Sequence, residues 1–426
     1  MLLKEYRYLM AFLFLFCCFE SLANEVDDEF SEWDEFESAE EQNDLELYGF
    51  LEFLGSRFLD PEDRYSYKDY GIYTARVSGD FTFDESLFKL KADVSYNDRF
   101  QETDFELREA YYQKYVLDNL QVKLGRQVIS WGTGDQVFLN DLFPKNWRAL
   151  LLSQDIDYLK KPINALRLDG GFSYFNLDLV AIESFEPDDY INGEYFSYFN
   201  SEKSDVVGEN DILHAEVNDK REYAARIYGN QGSVEWSLYF HDGYLKQPFG
   251  TELSTSERFF PALNSFGASI RAPLFGGLAN IEVSDYSVSD TENQNKIHMI
   301  NSQLRALAGY EFEIFPEVNF ATQLYVEKDS GSEVIDRLGL DIDKTRSQVS
   351  FKLSFGGLND EYSGYIFIQA SPNQDDAYLQ GNLQVRVNDR LRGVLGFNVF
   401  DGERNNTKFS QFDYNDNIYL RVRYYW

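Results

Sequence analysis

From about residue 45 to the C-terminus, segments of about ten residues alternate apolar and polar side chains with period 2. No other feature of the chain constrains its fold as strongly, because period 2 sends successive side chains to opposite faces of a sheet. In the last segment Ile418, Leu420, Val422, Tyr424 and Trp426 fall on one face, and Tyr419, Arg421, Arg423 and Tyr425 on the other. Val349, Phe351, Leu353 and Phe355 oppose Gln348, Ser350, Lys352 and Ser354 in the same way. In a soluble sandwich such faces would meet in a core and the strands would be short. Ten-residue segments instead suit tilted strands crossing about 25 Å of hydrocarbon. The apolar face is expected to meet lipid, which predicts an all-β fold, a transmembrane antiparallel β-barrel.

Turn chemistry gives the strand count. Eighteen segments can be placed, and the even-numbered connections between them come out short and rich in Gly, Pro, Asn and Asp, as around 230–231, 273–276 and 389. Most odd-numbered connections are longer and more polar, such as 185–220, 243–262, 329–344 and 401–414. A barrel with both ends in the periplasm has an even number of strands and this short–long alternation. About 18 strands are predicted, with 16 as the alternative. Residues 104–115 are expected to hold a bulge, since Arg108 and Glu109 cannot both face inward in a regular strand.

Composition narrows the partners. The chain joins 37 Phe and 30 Tyr to a net charge of -34, which disfavours disorder and leaves no basic footprint for nucleic acid. Residues 1–23 carry Lys4 and Arg7, an apolar stretch and Ser21-Leu22-Ala23, the pattern of a secretory signal peptide. Cys17 and Cys18 both lie in it, so the mature chain is expected to lack disulfides and thiolate metal sites. Residues 24–44, with 11 acids and no base, read as an acidic periplasmic segment, and 45–426 as the barrel. The ending Arg423-Tyr424-Tyr425-Trp426 resembles the C-terminal signature of bacterial outer-membrane barrels. That resemblance implies the outer membrane as location, and as partners its lipid and lipopolysaccharide and the barrel assembly machinery.

Parity assigns a lumenal face. Inward bases are Arg76, Lys89, Lys91, Lys123, Arg226, Arg271, Arg305, Arg346, Lys352, Arg386, Arg390, Arg392, Arg421 and Arg423. Inward acids are Asp80, Asp93, Asp178, Glu235, Glu282, Glu311, Glu313 and Glu327, so the lumen reads as about +6. The tail 24–44 and the connection 185–220, the latter with ten acids and two bases, together carry -19 of the chain's charge. Rings of Arg and Lys favour anions. The competing reading is that these bases pair with neighbouring acids and hold the wall in shape.

Residues 131–163, the third long connection, are too apolar for a solvated loop, with Trp131, Phe138, Phe143, Trp147 and Leu150-Leu151-Leu152. They are expected either to fold inward as a constriction, presenting Asp135, Lys145 and Arg148 among their charges, or to cover the mouth. Just before them stands Leu124-Gly125-Arg126-Gln127-Val128-Ile129-Ser130-Trp131-Gly132. These nine residues resemble the Gly-Arg-Gln…Trp-Gly segment of porin-like outer-membrane barrels of the alginate-export type and of a related family of unknown function. The resemblance implies a monomeric barrel exporting or passing an anionic or amphiphilic substrate, with a periplasmic or inner-membrane exporter as partner. It also implies a lumenal Arg126, although Arg126 shares the apolar parity of Leu120, Val122 and Leu124 and needs a bulge or a rim position.

Catalysis has little to stand on. Of the mature chain's His214, His241 and His298, only His241, followed by Asp242, offers a carboxylate neighbour, and no nucleophile motif accompanies it. No enzyme, cofactor or metal site is predicted, and the acidic 185–220 reads as a solvated surface. The expected function is an outer-membrane channel passing or exporting small or polymeric anionic solutes. The alternative is a surface-exposed binding or receptor barrel with a closed lumen.

Overall fold

A computed structural model describes residues 44–59, 69–83, 85–134, 137–200, 203–217, 219–252, 254–289, 296–298, 300, 302–330, 344–357 and 361–426. The expected signal peptide, the acidic segment up to residue 43, and Asp135 lie outside the described residues.

Eighteen antiparallel strands form one closed sheet in chain order. The first half comprises β1 (Asp44–Phe58), β2 (Tyr70–Phe83), β3 (Ser86–Asn97), β4 (Glu102–Leu117), β5 (Leu120–Gln127), β6 (Ile163–Gly171), β7 (Asn176–Ile182), β8 (Glu222–Gln231) and β9 (Val234–Tyr244). The second half comprises β10 (Ala262–Leu274), β11 (Gly277–Ser289), β12 (Gln303–Phe315), β13 (Val318–Asp329), β14 (Thr345–Gly356), β15 (Tyr362–Ser371), β16 (Asp376–Arg386), β17 (Leu391–Gly402) and β18 (Asn417–Tyr425). The predicted count of 18 is met. Boundaries differ most where a strand meets an outer loop: β1 runs on to Phe58, β5 stops at Gln127, and β12 begins at Gln303. Two small accessory sheets in the outer loops, among them the hairpin of Tyr198–Asn200 with Asp205–Val207, escape sequence reading because their strands are only two or three residues long.

Closure is made by β18 against β1, from Phe50 opposite Tyr425 to Phe58 opposite Asn417. Trp426 extends the ladder by exchanging backbone hydrogen bonds with Gly49 at 3.2 and 3.3 Å. A side chain at Gly49 would collide with the indole, since its Cβ would lie 2.5 Å from a Trp426 ring carbon.

The outward face is a lipid wall. Leu238, Phe266, Leu304, Leu324, Leu353, Ile366, Leu395 and Leu420 stay between 41% and 63% exposed, an uneconomical face in water and the required one in hydrocarbon. The expected bulge is present: Lys91 opposes Glu109 and Ala92 opposes Leu107, leaving Arg108 as the extra residue. Arg108 and Glu109 are thereby both buried on the inner side. Tight reversals use left-handed residues, as at Phe275 and Gly276 with φ of +47° and +82°.

Candidate functional site

The site is the lumen, and its main internal element is the loop 128–162, which folds inward. The segment that resembles a family motif builds the hinge. Gly125 takes φ +124°, and a Cβ there would lie 2.3 Å from the Ala110 carbonyl oxygen. Only glycine meets both demands, and β5 ends two residues later. Gln127, fully buried, donates its side-chain amide to the Ala165 carbonyl at 2.9 Å and so occupies an acceptor beside the strand end. Trp131 then packs on Phe143 with ring centroids 4.9 Å apart and donates Nε1–H to Asp178 of β7 at 3.0 Å. Arg126 is a correction to the lumenal set: it shares the outward parity of Leu124, donates from Nε to the Leu107 carbonyl at the bulge, and pairs with Glu186 at 2.8 Å. It is a rim residue that braces the hinge.

Beyond the hinge the loop spans the barrel interior. On one side Glu282 of β11 accepts from the Thr133 backbone N–H, the Thr133 hydroxyl and Asn140, while Tyr286 donates to the Leu139 carbonyl. Leu139 packs on Leu307 and Tyr325 of β12 and β13. On the other side Asn398 of β17 donates to the Ser153 hydroxyl at 2.7 Å. Asp155 meets Arg423 at 3.0 Å and Arg421 at 3.7 Å. Tyr158 donates to Asp93 at 2.8 Å, and Arg108 donates to the carbonyls of Asp157 and Lys160. Burial pushes the Asp155 carboxyl up, but Arg423 and Arg421 outweigh it and hold the group below its ordinary range. A lid over the mouth is excluded by these contacts with the inner wall.

The loop's own charges are mostly neutralised, and by a neighbour. Lys145 and Asp141 form a buried pair at 3.0 Å. Arg148 meets Asp189 and Glu194, and Lys161 meets Asp189, all acids of the next outer loop. Trp147 donates Nε1–H to Asp188 at 2.7 Å, and burial pushes the Asp188 carboxyl up. Asp188, Asp189 and Glu194 of the acidic 185–220 therefore clamp the inward loop, which corrects the solvated-surface reading for these three residues. Each segment was legible alone; their complementarity is visible only when the two are brought together.

The inward wall is also largely paired. Arg76 holds Asp93 through two bonds of 2.7 Å, Lys89 meets Asp80 at 3.1 Å, and Lys91 meets Glu109 at 2.8 Å. Arg226 lies 3.5 Å from Asp178, Arg305 and Arg346 share Glu327 at 4.0 and 3.9 Å, and Arg386 meets Asp389 at 2.5 Å. Arg423 and Arg421 share Glu52 as well as Asp155, and Lys352 lies 5.7 Å from the Tyr365 ring centroid. Arg390 sits in the periplasmic turn beside Tyr424. Sequence reasoning missed Arg167, which joins Arg226 on Asp178, and the acids Glu52 and Glu109. Glu52 was readable from the alternation of β1, and Glu109 from the bulge that it and Arg108 demand.

Lys123, Arg271 and Arg392 stand apart. Each lies on the inward parity, and among the described residues none has a carboxylate within 4.0 Å. Lys123 rests over the Tyr111 ring at 3.6 Å and Arg392 over Tyr425 at 5.0 Å. His241 and Asp242 are split by the strand, His241 buried within and Asp242 exposed, so they form no catalytic pair.

No curated protein matches the chain. Among solved structures it is similar to OccAB3 of Acinetobacter baumannii, with TM-score 0.55 and 11% identity over 90% of this chain and 99% of that one. It is equally similar to OccK2 (OpdF) of Pseudomonas aeruginosa, solved in complex with glucuronate, with TM-score 0.55 and 11% identity over 90% and 97% of the two chains. At such identity the likeness is one of fold, and the fold is that of a porin-like outer-membrane barrel. The alginate-export likeness of the nine-residue hinge has no counterpart in these comparisons. A family model described as a protein of unknown function (DUF1302) matches residues 59–295, more than half the chain and spanning the hinge, the inward loop and its clamp, and the chain belongs to that family.

Proposed function

We propose that this barrel is an outer-membrane channel that passes or exports anionic solutes, small or polymeric, through a lumen narrowed by loop 128–162. The observation that carries this reading is the set of inward cations with no carboxylate within 4.0 Å among the described residues, Lys123, Arg392 and Arg271, the last opposite Glu235 in register. Ion-paired bases present little net field to a passing solute, whereas unpaired ones lower the energy of a negative charge in the pore. The glucuronate held by the similar OccK2 barrel is a solute of this charge class.

Planar-bilayer recording tests the reading. Purified protein is expected to conduct, with a reversal potential under a salt gradient on the anion-selective side. The triple variant K123Q/R271Q/R392Q is expected to lower the anion-to-cation permeability ratio about twofold or more, because inward cations lower the energy of an anion in the pore. Cation preference in the unmodified protein would overturn the selectivity. The anchoring of the inward loop to opposite walls favours a second reading, a surface receptor with a closed lumen, and absence of any ion current would establish that reading instead.

A further inference from the structure

We infer that the outer vestibule is a binding site for an amphipathic monoanion, an acyl carboxylate whose chain lies in an aromatic cavity and whose head group sits at Lys408. This deepens the channel reading by naming a substrate class, and it rests on that reading only for the substrate's onward passage.

The cavity measures about 690 Å³ and lies among the outer loops, above the ends of β15 and β16. That volume is within the range of about 300–1,000 Å³ of sites that enclose small organic ligands. Trp147, Leu150, Ile191, Phe199, Phe249 and Phe412 supply its apolar lining. Its charged lining is cationic, Arg258, Arg404 and Lys408, and no aspartate or glutamate lines it among the described residues. In a chain of net charge -34 that exclusion is informative. Three acids of the adjoining loop are turned away, Asp189 and Glu194 toward Arg148 and Glu186 toward Arg126. The apolar side of the cavity offers an acyl chain contacts that a small hydrophilic ion cannot use.

The head-group end is equally defined. The Lys408 ammonium lies 3.5 Å from Gln348 Oε1, with no carboxylate within 4.0 Å. Beside it Arg346 keeps Nε and Nη2 buried without a hydrogen-bond partner. Three cations, Lys408, Arg346 and Arg305, face two acids. Glu327 is shared by the two arginines, and Asp376 accepts from the Phe409 N–H at 2.8 Å. The patch is one negative charge short, and a single carboxylate completes it. Gln369 and Tyr378, inward residues of β15 and β16, also line the cavity and join its floor to the lumen wall. A head group bound at Lys408 therefore stands at the lumen's entrance.

The test uses the full-length protein in planar bilayers with sodium hexanoate through dodecanoate added to the outer side. Decanoate is expected to block the current saturably, and each added methylene to tighten the block roughly threefold to fourfold, the partition value for a CH₂ leaving water. Decanol and decyltrimethylammonium, with the same chain and no negative charge, are expected to bind at least about tenfold more weakly. K408Q is expected to erase the preference for decanoate over decanol while keeping the chain-length increment, and L150D to lose the increment. Because a charge at position 150 also threatens folding, 10-bromodecanoate supplies a readout on the intact protein: saturable quenching of tryptophan fluorescence that disappears in W147F. Equal block by all three head groups, or block independent of chain length, would overturn the site while leaving the channel intact. Saturable, charge-dependent quenching without ion current would overturn the channel and leave the site.

Discussion

Gly125 and Lys408 show how single residues set the behaviour of this lumen. Gly125 bends β5 two residues before the strand ends, and its φ of +124° together with the Ala110 oxygen 2.3 Å from a would-be Cβ leaves no room for a side chain. G125V is expected to lower barrel stability by about 1–3 kcal/mol, the usual cost of a non-glycine residue in such a conformation. The measurement is the urea midpoint of the folded, heat-modifiable band, and an unchanged midpoint would refute the hinge. Lys408 lies in the outer loop 403–416, and its ammonium is pushed down to about 7, by burial first and then by Arg346 and Arg305, against the pull of Glu327 and Asp376. Since the group is depressed, its charged form is lost in the folded protein as pH rises through about 7, and the unfolded chain then binds more protons up to its ordinary value of 10.5. Two consequences follow. Stability gains from Lys408 as pH rises above 7, and decanoate block is expected to weaken about threefold to tenfold between pH 6 and 8.5, a dependence absent from K408Q.

At the scale of elements, the inward loop is held at its ends by ionised groups from opposite walls. Glu282 gathers three donors from residues 133–140, and Arg421 with Arg423 gathers Asp155. E282A is expected to cost about 1.5–3 kcal/mol of loop anchoring, the range for hydrogen bonds to a charged group. Single-channel traces should then show larger and noisier openings; quiet, unchanged traces would mean the loop is held elsewhere. Asp155 is depressed, so its contribution is complete above its ordinary value of 3.8 and fades only as pH falls below that. The sequence marked this loop as too apolar for solvent, through Trp131, Phe143 and Leu150 to Leu152, but left its direction open. Direction depends on Glu282, Asn398 and Arg423, which stand 120 residues or more from the loop in the chain and carry no local signal of their partner. The clamp by Asp188, Asp189 and Glu194 was hidden for the same reason.

At the scale of the whole molecule, closure depends on a first strand and a last strand meeting in register. At Gly49, opposite Trp426, that seam leaves no room for a side chain. G49I is expected to destabilise the barrel by about 1–3 kcal/mol through overpacking and to lower the yield of heat-modifiable protein. Full yield and stability would show that the seam has slack. By itself the sequence determined the strand number, the lipid-facing parity and the bulge at Arg108, because alternation and turn chemistry are local and are repeated eighteen times. It also showed that the lumenal face is rich in bases. Only the tertiary structure decided which of those bases carry a free charge. Parity places a side chain inside the barrel, but an ion pair needs an acid within 4 Å, and such acids come from distant strands and from a loop whose path the local pattern does not specify. Most of the inward bases are neutralised in this way, while Lys123, Arg271 and Arg392 in the wall and Lys408 at the outer mouth keep no carboxylate within 4.0 Å among the described residues.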